Sequence, residues 1–136
     1  MEAIIRLKPG KDKSIVRNHP WIFSGAIKSI EGPVQEGSFV EVVANKGRHL
    51  GYGHYQDGSI AVRVLLFEHE ELQDNLYEAR IASAWNLRKS LGLTDDASTN
   101  IFRLIHAEGD FLPGLIIDHY NGHLVIQCHS IGMYMD

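Results

Sequence analysis

The chain has 136 residues, of which 44% are hydrophobic and 22% charged, a balance typical of one soluble domain or two small ones and unlike that of a disordered or fibrous protein. No apolar run approaches the roughly 20 residues that a membrane-spanning helix requires, and the first residues lack the cationic start and long apolar stretch of a signal peptide. The single cysteine, Cys128, cannot form an internal disulfide, which favours a reducing, cytoplasmic setting.

Short strands separated by turn signals are predicted over the first 67 residues. Residues 11–18 are predicted to form one or two helical turns that end at His19-Pro20, because the residue before a proline is pushed out of the α region. Gly51 and Gly53 interrupt one strand and predict a bulge or a close backbone approach there. The strands are predicted at residues 3–7, 21–23, 26–30, 39–43, 49–55 and 60–67. Strands this short and this regularly spaced predict a small closed or nearly closed β-barrel.

The pattern changes near Glu68. Residues 68–91 contain no glycine or proline and are rich in helix formers, so a helix is predicted there. Its apolar stripe consists of Leu76, Tyr77, Ile81, Ala84, Leu87 and Leu91. After a polar stretch at residues 94–100, strands are predicted at residues 102–106, 115–119 and 124–128, and Asn121-Gly122 is predicted to be the hairpin turn between the last two.

We therefore expect an α+β chain of two parts. Residues 1–67 are predicted to form the barrel, and residues 68–136 a helix-plus-strands unit with few elements for a free-standing domain. The chain ends on an apolar-rich tail, so we expect it to be the front of a longer protein.

The net charge of −4 conceals a basic first segment. Residues 6–28 carry six Lys or Arg and one acid, a balance of +5, whereas residues 29–136 carry seven basic and fifteen acidic side chains, a balance of −8. A local excess of positive charge fits contact with a polyanion. The alternative is a solvated surface on which cations happen to cluster.

The stretch from Lys8 to Gly25 is the one most suggestive of binding. Its cations can meet phosphates, and its aromatic rings can stack on an unpaired RNA base. The predicted RNA-binding residues are Lys8, Lys11, Lys13, Arg17, His19 and Trp21. The competing interpretation for Trp21 and Phe23 is a place in the barrel core, which is where aromatic residues more often lie.

The sequence gives weaker support for a metal site or a reactive thiol. His119 and His123 have metal-like spacing, but the predicted Asn121-Gly122 turn between them favours surface histidines, so no metal site is predicted. Cys128 is expected to be buried and inert, because nothing in the sequence indicates the electropositive site that lowers a thiol pKa.

No dinucleotide fingerprint, phosphate-binding loop or nucleophile elbow is present in the sequence, so no catalytic or cofactor-binding residue is predicted within it. Asp110 and Asp118 are two acids close in sequence, and paired acids can do acid–base work. A role of Pro113 and Gly114 in loop geometry is the favoured interpretation of that stretch.

Two stretches resemble one known family. Residues 19–27 read His-Pro-Trp-Ile-Phe-Ser-Gly-Ala-Ile, and residues 102–120 read Phe-Arg-Leu-Ile-His-Ala-Glu-Gly-Asp-Phe-Leu-Pro-Gly-Leu-Ile-Ile-Asp-His-Tyr. Both are similar to motifs of the large-subunit ribosomal RNA cytosine-5 methyltransferases that begin with a PUA domain. The resemblance covers essentially the whole chain. It departs at Phe111, where the family pattern leads us to expect glycine.

The resemblance implies a PUA barrel, then a mixed α/β connecting domain, then a Rossmann-like methyltransferase domain. The last would bind S-adenosylmethionine and supply the catalytic cysteine, and this sequence ends before it. The implied reaction is methyl transfer to C5 of a cytosine through a covalent cysteine adduct, and the implied partner is structured RNA, specifically rRNA. Cys128 matches no catalytic motif of the family.

Two rival functions remain open on the sequence. One is a free-standing RNA-binding or ribosome-binding module without catalysis. The other is a small barrel for protein–protein contact, with Trp21, Phe23 and Tyr52 forming an exposed patch.

Overall fold

The computed structural model describes residues 3–95 and 101–136. The chain divides into two compact units, Met1–Leu72 with Ser130–Asp136, and Gln73–His129. Residues 96–100, at the end of the predicted polar stretch, lie outside the described residues.

The first unit is built on one six-stranded sheet. Strands β1 to β6 are Ala3–Leu7, Trp21–Phe23, Ile27–Glu31, Phe39–Val43, His49–Tyr55 and Ile60–Phe67. Their spatial order is β2-β6-β5-β4-β1-β3, with β1 and β4 parallel and the other neighbours antiparallel. A 3₁₀ turn at Ser24–Ala26 is all that separates the two edge strands, β2 and β3. The sheet therefore curls into a half-barrel, open at this seam, where a closed or nearly closed barrel was predicted.

Alternation along the strands places the core inside the half-barrel. Ile5, Val40, Val42 and Val62 are fully buried there, as expected for side chains that point to one face of a strand. The short helix α1, Lys13–Val16, adds Ile15 to the same core. Burial of this one aliphatic side chain anchors the basic segment to the sheet.

At Gly53, strands β5 and β6 lie too close together to accommodate a side chain. A Cβ at this position would lie 2.3 Å from the Arg63 carbonyl oxygen and 2.9 Å from Cγ1 of Val62. The register of the two strands shifts between Tyr52 and Gly53. The prediction of a bulge and a close backbone approach is confirmed.

A helix that the sequence reasoning did not predict completes the first unit. Helix α3, Ile131–Met135, begins at Ser130, whose side chain accepts a hydrogen bond from the Met133 N–H. Gly132 packs on the ring of His54, and a Cβ there would lie 2.2 Å from the His54 Cγ. His54 is buried, and its Nε2 lies 2.7 Å from Oδ2 of Asp136.

The second unit contains helix α2 and a three-stranded antiparallel sheet. Helix α2 is Leu76–Ser90, and strands β7, β8 and β9 are Ile101–His106, Leu115–Tyr120 and His123–Cys128, in that order across the sheet. A 3₁₀ turn, Ala107–Asp110, follows β7. Asn121 and Gly122 have φ angles of 46° and 83°, which suits the two positive-φ positions of a type I′ hairpin turn, and the predicted turn is confirmed.

The predicted helix over residues 68–91 is wrong before Leu76. The chain turns after β6 instead, because the Glu70 N–H donates to the Phe67 carbonyl (2.9 Å) and the Glu70 carboxylate accepts from the Phe67 N–H (2.8 Å). The apolar stripe is also only partly covered. Ala84 is buried, whereas Leu87 and Leu91 are exposed.

Strand β9 is an edge strand, and all six of its residues are exposed. It pairs with β8 alone in the described sheet. Cys128 ends this strand and is exposed. The prediction of a buried cysteine is therefore wrong, because it assumed that the last apolar run would be covered on one face.

Candidate nucleic-acid interface

The basic segment follows a fixed path from β1 to β2. The Lys8 N–H donates to the Ala26 carbonyl (2.9 Å), and the Lys11 N–H donates to the Lys8 carbonyl (3.0 Å). The turn between them has Gly10 at φ +75°, a conformation that favours glycine. One hydrogen bond therefore joins the backbone of these lysines to the seam of the half-barrel, and the other closes a turn within the segment itself.

Helix α1 ends in a left-handed cap. Asn18 has φ 63°, its N–H donates to the Ile15 carbonyl (2.9 Å), and the His19 N–H donates to the Ser14 carbonyl (2.9 Å). This pair of bonds satisfies the last carbonyls of the helix in the Schellman pattern. The predicted end of the helix before His19-Pro20 is confirmed, and the cap fixes where His19 leaves the helix.

Strand β2 sends alternate side chains to opposite faces. Ile22 lies in the core, whereas Trp21 is half-buried and Phe23 is 51% exposed on the other side. The rings of His19, Trp21 and Phe23 form what we call the aromatic row. Centroids are 6.1 Å apart for the first pair and 6.5 Å for the second, both edge-on. The Trp21 N–H also donates to His19 Nδ1 (3.2 Å).

A core position is therefore wrong for Phe23 and only partly right for Trp21. The strict alternation of Trp21-Ile22-Phe23 was the available signal, because it allows only one face of a strand to point into the core. Sequence reasoning placed Phe23 on the surface only in the protein-contact alternative and left it out of the predicted RNA-binding residues.

A cavity opens beside the aromatic row. Its volume is about 370 Å³, and it lies where the basic segment meets the turn after β2. The lining residues are Lys11, Ser14, Ile22, Phe23, Gly25 and Ala26. Of the predicted RNA-binding residues, only Lys11 lines it. The structure thus brings one predicted cation together with Phe23, a residue the sequence reasoning left out.

Several arginines form ion pairs with carboxylates. The hydrogen bond from Arg6 to Glu31, 2.9 Å between Nε and Oε1, lowers the pKa of that glutamate, and Arg48 does the same for Glu68 at 3.1 Å. Such pairs leave little charge available for an external anion. Similar pairs in the second unit join Arg88 to Asp110 and Arg103 to Asp118.

The cations between strands β1 and β2 differ in this respect. The side chains of Lys8, Lys11, Lys13 and Arg17 are exposed, and none of them forms an ion pair with any residue in the ranges 3–95 and 101–136. Four positive charges on ten residues of anchored backbone are therefore open to solvent. We call these four side chains the free cations.

The two acids of the second unit serve as partners of arginines. Both oxygens of Asp110 accept from Arg88, at 2.6 and 2.8 Å, in a pair whose side chains are 6% and 11% exposed, and the His106 N–H donates to the same carboxylate. Burial alone would raise the pKa of Asp110, but these hydrogen bonds outweigh it and hold the pKa below its usual value. Arg103 likewise lowers the pKa of Asp118.

The histidines with metal-like spacing lie on either side of the hairpin turn. His119 is on β8 and stacks on Phe102 at 4.8 Å, and His123 begins β9. Within the described ranges, no group of three or more His, Cys, Asp or Glu side chains is placed to hold a metal ion. No helix in those ranges is long and apolar enough to span a membrane.

The third member of the expected interaction patch lies elsewhere. Tyr52 is on β5, two strands from β2 across the sheet, and its ring stacks on Phe39 with centroids 5.6 Å apart. Trp21 and Phe23 belong to the aromatic row instead.

The chain is similar to methyltransferases over nearly its whole length. It is 44% identical to "Ribosomal RNA large subunit methyltransferase I" of Shewanella amazonensis and 40% identical to the protein of the same name from Alteromonas mediterranea, in each case over 97% of this chain and 33% of the relative. The chain thus spans about a third of the length of these relatives.

The fold is shared with a solved structure named "A putative sam-dependent methyltransferase from Streptococcus mutans". The two superpose with a TM-score of 0.79 over 99% of this chain and 35% of that one, at 14% identity. Residues 5–67 match the family model described as a PUA-like domain. The matched residues lie within the first unit, in the half-barrel that carries the free cations and the aromatic row.

Proposed function

We propose that this chain is the N-terminal RNA-recognition portion of an S-adenosylmethionine-dependent rRNA methyltransferase. The observation that carries the proposal is the set of free cations on the segment that leads into the aromatic row, because unpaired charge on an anchored backbone is what a polyanion needs. The similarity to rRNA methyltransferases and the PUA-like domain support the same assignment. We keep residues 1–67 as the proposed RNA-binding barrel and residues 68–136 as the proposed connecting part.

The free cations are proposed to contact phosphates. Each phosphate that a Lys or Arg side chain neutralises releases condensed counterions, so binding strengthens as the salt concentration falls. Such contacts fix the position of the RNA without reading its sequence. His19, exposed at the end of the cap, is proposed to contribute to the same surface, and Trp21, half-buried next to it, is proposed to brace the aromatic row.

The methyl-transfer chemistry is assigned to a part of the protein beyond these residues. There, S-adenosylmethionine would supply the methyl group, and C5 of a cytosine is the proposed acceptor, by resemblance to the family. Cys128 has no role in this proposal. The RNA is proposed to be structured rRNA in the cytoplasm.

Charge neutralisation on the basic segment tests the RNA assignment. The triple variant Lys11→Gln, Lys13→Gln, Arg17→Gln is expected to bind a structured rRNA fragment more weakly and to lower the slope of log K against log salt by about 2 to 3, since each phosphate contact contributes roughly 0.7 to 0.9. Affinity is measured by fluorescence anisotropy at several salt concentrations.

A triple variant with the same change in charge serves as the control. Lys28→Gln, Lys46→Gln and Lys89→Gln remove three exposed lysines that are not among the free cations, and they should leave the salt slope near that of the wild type. Equal effects of the two triple variants, or no effect of the first, would contradict the proposal. A barrel that docks a protein predicts no salt-dependent RNA affinity at all.

A further inference from the structure

We infer that the cavity beside the aromatic row, which we call the Phe23 cavity, takes one unpaired nucleotide of the RNA, with its base against Phe23 and the adjoining phosphate at Lys11. This inference rests on the proposed function and deepens it, because it names the kind of RNA element that the first unit selects.

The size and lining of the Phe23 cavity fit a small polar ring system. Its volume of about 370 Å³ falls at the lower end of the range, about 300 to 1,000 Å³, that small-ligand sites occupy. Ile22, Phe23 and Ala26 provide apolar walls, while Lys11 and Ser14 place a cation and a hydroxyl on the lining. A nucleobase has matching chemistry, with apolar faces, polar edges and an attached phosphate.

Phe23 is presented for contact. Its side chain is 51% exposed, and the ring of Trp21 supports it edge-on at 6.5 Å. Aromatic side chains that bind single strands offer this kind of platform, because every base has a π-face that can stack. Phe23 therefore offers an exposed aromatic face on the lining of the cavity.

The walls of the Phe23 cavity are fixed before any ligand arrives. The Ser24 N–H donates to the Ser59 carbonyl (2.9 Å), and the Ala26 carbonyl accepts from the Lys8 N–H (2.9 Å). Ile15, buried in the core, holds the segment that carries Lys11 and Ser14. A preformed site loses little conformational entropy on binding.

The charges around the Phe23 cavity favour an unpaired nucleotide over a free anion, and its aromatic wall favours it over a continuous duplex. Among the described residues, Lys11 is the one cation on the lining of the cavity. One cation is too few to enclose a free anion, but it is enough for one phosphate of a chain. Lys8, Lys13 and Arg17, the remaining free cations, can meet the neighbouring phosphates. A continuous duplex keeps its base faces stacked and offers none to Phe23.

Two variants test the cavity without touching the free cations. Phe23→Ala removes the platform at a half-exposed position. Gly25→Leu fills space instead, because a Cβ on Gly25 meets no atom within 4 Å and its backbone is not left-handed. Phe111→Ala is the control, since it removes another exposed phenylalanine, from the second unit.

The probes are two RNA hairpins with equal numbers of phosphates, one fully paired and one with a single bulged 2-aminopurine. Wild-type protein is expected to prefer the bulged hairpin and to quench its fluorescence. Each cavity variant should bind the bulged hairpin about fivefold or more weakly, the lower end of what one base–aromatic contact contributes, and should retain the wild-type affinity for the paired hairpin. Circular dichroism checks that both variants are folded.

The nucleotide site and the proposed function are overturned by different results. Equal binding of the two hairpins by the wild type, or unchanged preference in both cavity variants, overturns the nucleotide site even when the triple cation variant loses affinity. If the wild type binds neither hairpin in a salt-dependent way, the RNA assignment itself is overturned.

Discussion

The loop after β7 holds a phenylalanine in a backbone conformation that suits glycine. Phe111 has φ 60° and ψ 27°, in the left-handed region where a Cβ costs roughly 1 to 2 kcal/mol. Its side chain is 65% exposed, so the ring recovers little of that cost by burial. Its N–H donates to the Glu108 carbonyl, and the next N–H, that of Leu112, donates to the Ala107 carbonyl, both at 3.1 Å.

Comparing Phe111→Gly with Phe111→Ala isolates the backbone strain, because both remove the same ring. Glycine relieves roughly 1 to 2 kcal/mol of left-handed strain but adds about 0.5 to 1 kcal/mol of unfolded-state entropy. The Phe111→Gly variant should therefore be more stable than the Phe111→Ala variant by about 1 kcal/mol. In an ordinary helix or strand the order of the two residues is reversed.

Urea unfolding measures this difference. The second unit contains Trp85, near the ring of Phe102 at 6.1 Å, so its fluorescence follows the unfolding of that unit, with Trp21→Phe as a common background. The difference in midpoint multiplied by the slope m gives the change in the free energy of unfolding. If Phe111→Ala is as stable as Phe111→Gly, residue 111 is not held in the left-handed conformation and the reasoning is wrong.

Three further substitutions test other contacts. Asp110→Asn leaves Arg88 buried without its carboxylate and should cost about 3 to 5 kcal/mol at neutral pH in urea unfolding. Because the pKa of Asp110 is lowered, the stability that its carboxylate contributes is present above about pH 4 and is lost as the pH falls further. The free energies of unfolding of wild type and variant should therefore converge in acid, and a constant difference would argue against the pair. Gly53→Ala should destabilise the first unit by about 1 to 3 kcal/mol through overpacking, and an unchanged midpoint would mean that β5 can move aside. Gly132→Ala, which meets the His54 ring, should speed amide hydrogen exchange in α3 while leaving the sheet protected; unchanged exchange there would contradict the contact.

Elements set by local pattern were predictable from the sequence. Strand β1 is found at the predicted residues, since a short apolar run there is closed by Pro9-Gly10. The Asn121-Gly122 turn was equally clear, because few other residue pairs tolerate two positive φ angles.

Elements set by particular side-chain and backbone contacts were not predictable. The start of α2 depends on whether Glu70 bonds to Phe67 or continues a helix, and composition cannot decide that. Helix α3 depends on a glycine that fits the ring of His54, far away in the chain. The positions of the free cations followed from charge, but the Phe23 cavity needed the turn that brings the two edges of the sheet together.

The first unit is assembled from two separate stretches of sequence, with residues 73–129 between them. His54 meets Asp136 across 82 residues of chain, which a ribosome takes about 4 to 16 s to synthesise at 5 to 20 residues per second. During that interval the nascent half-barrel has its sheet but not the helix that covers the His54 ring. A fragment cut after Leu72 would keep every free cation and the aromatic row, yet it would hold this bare surface permanently. The smallest well-behaved piece of the first unit must therefore carry residues 130–136 or a graft that replaces them.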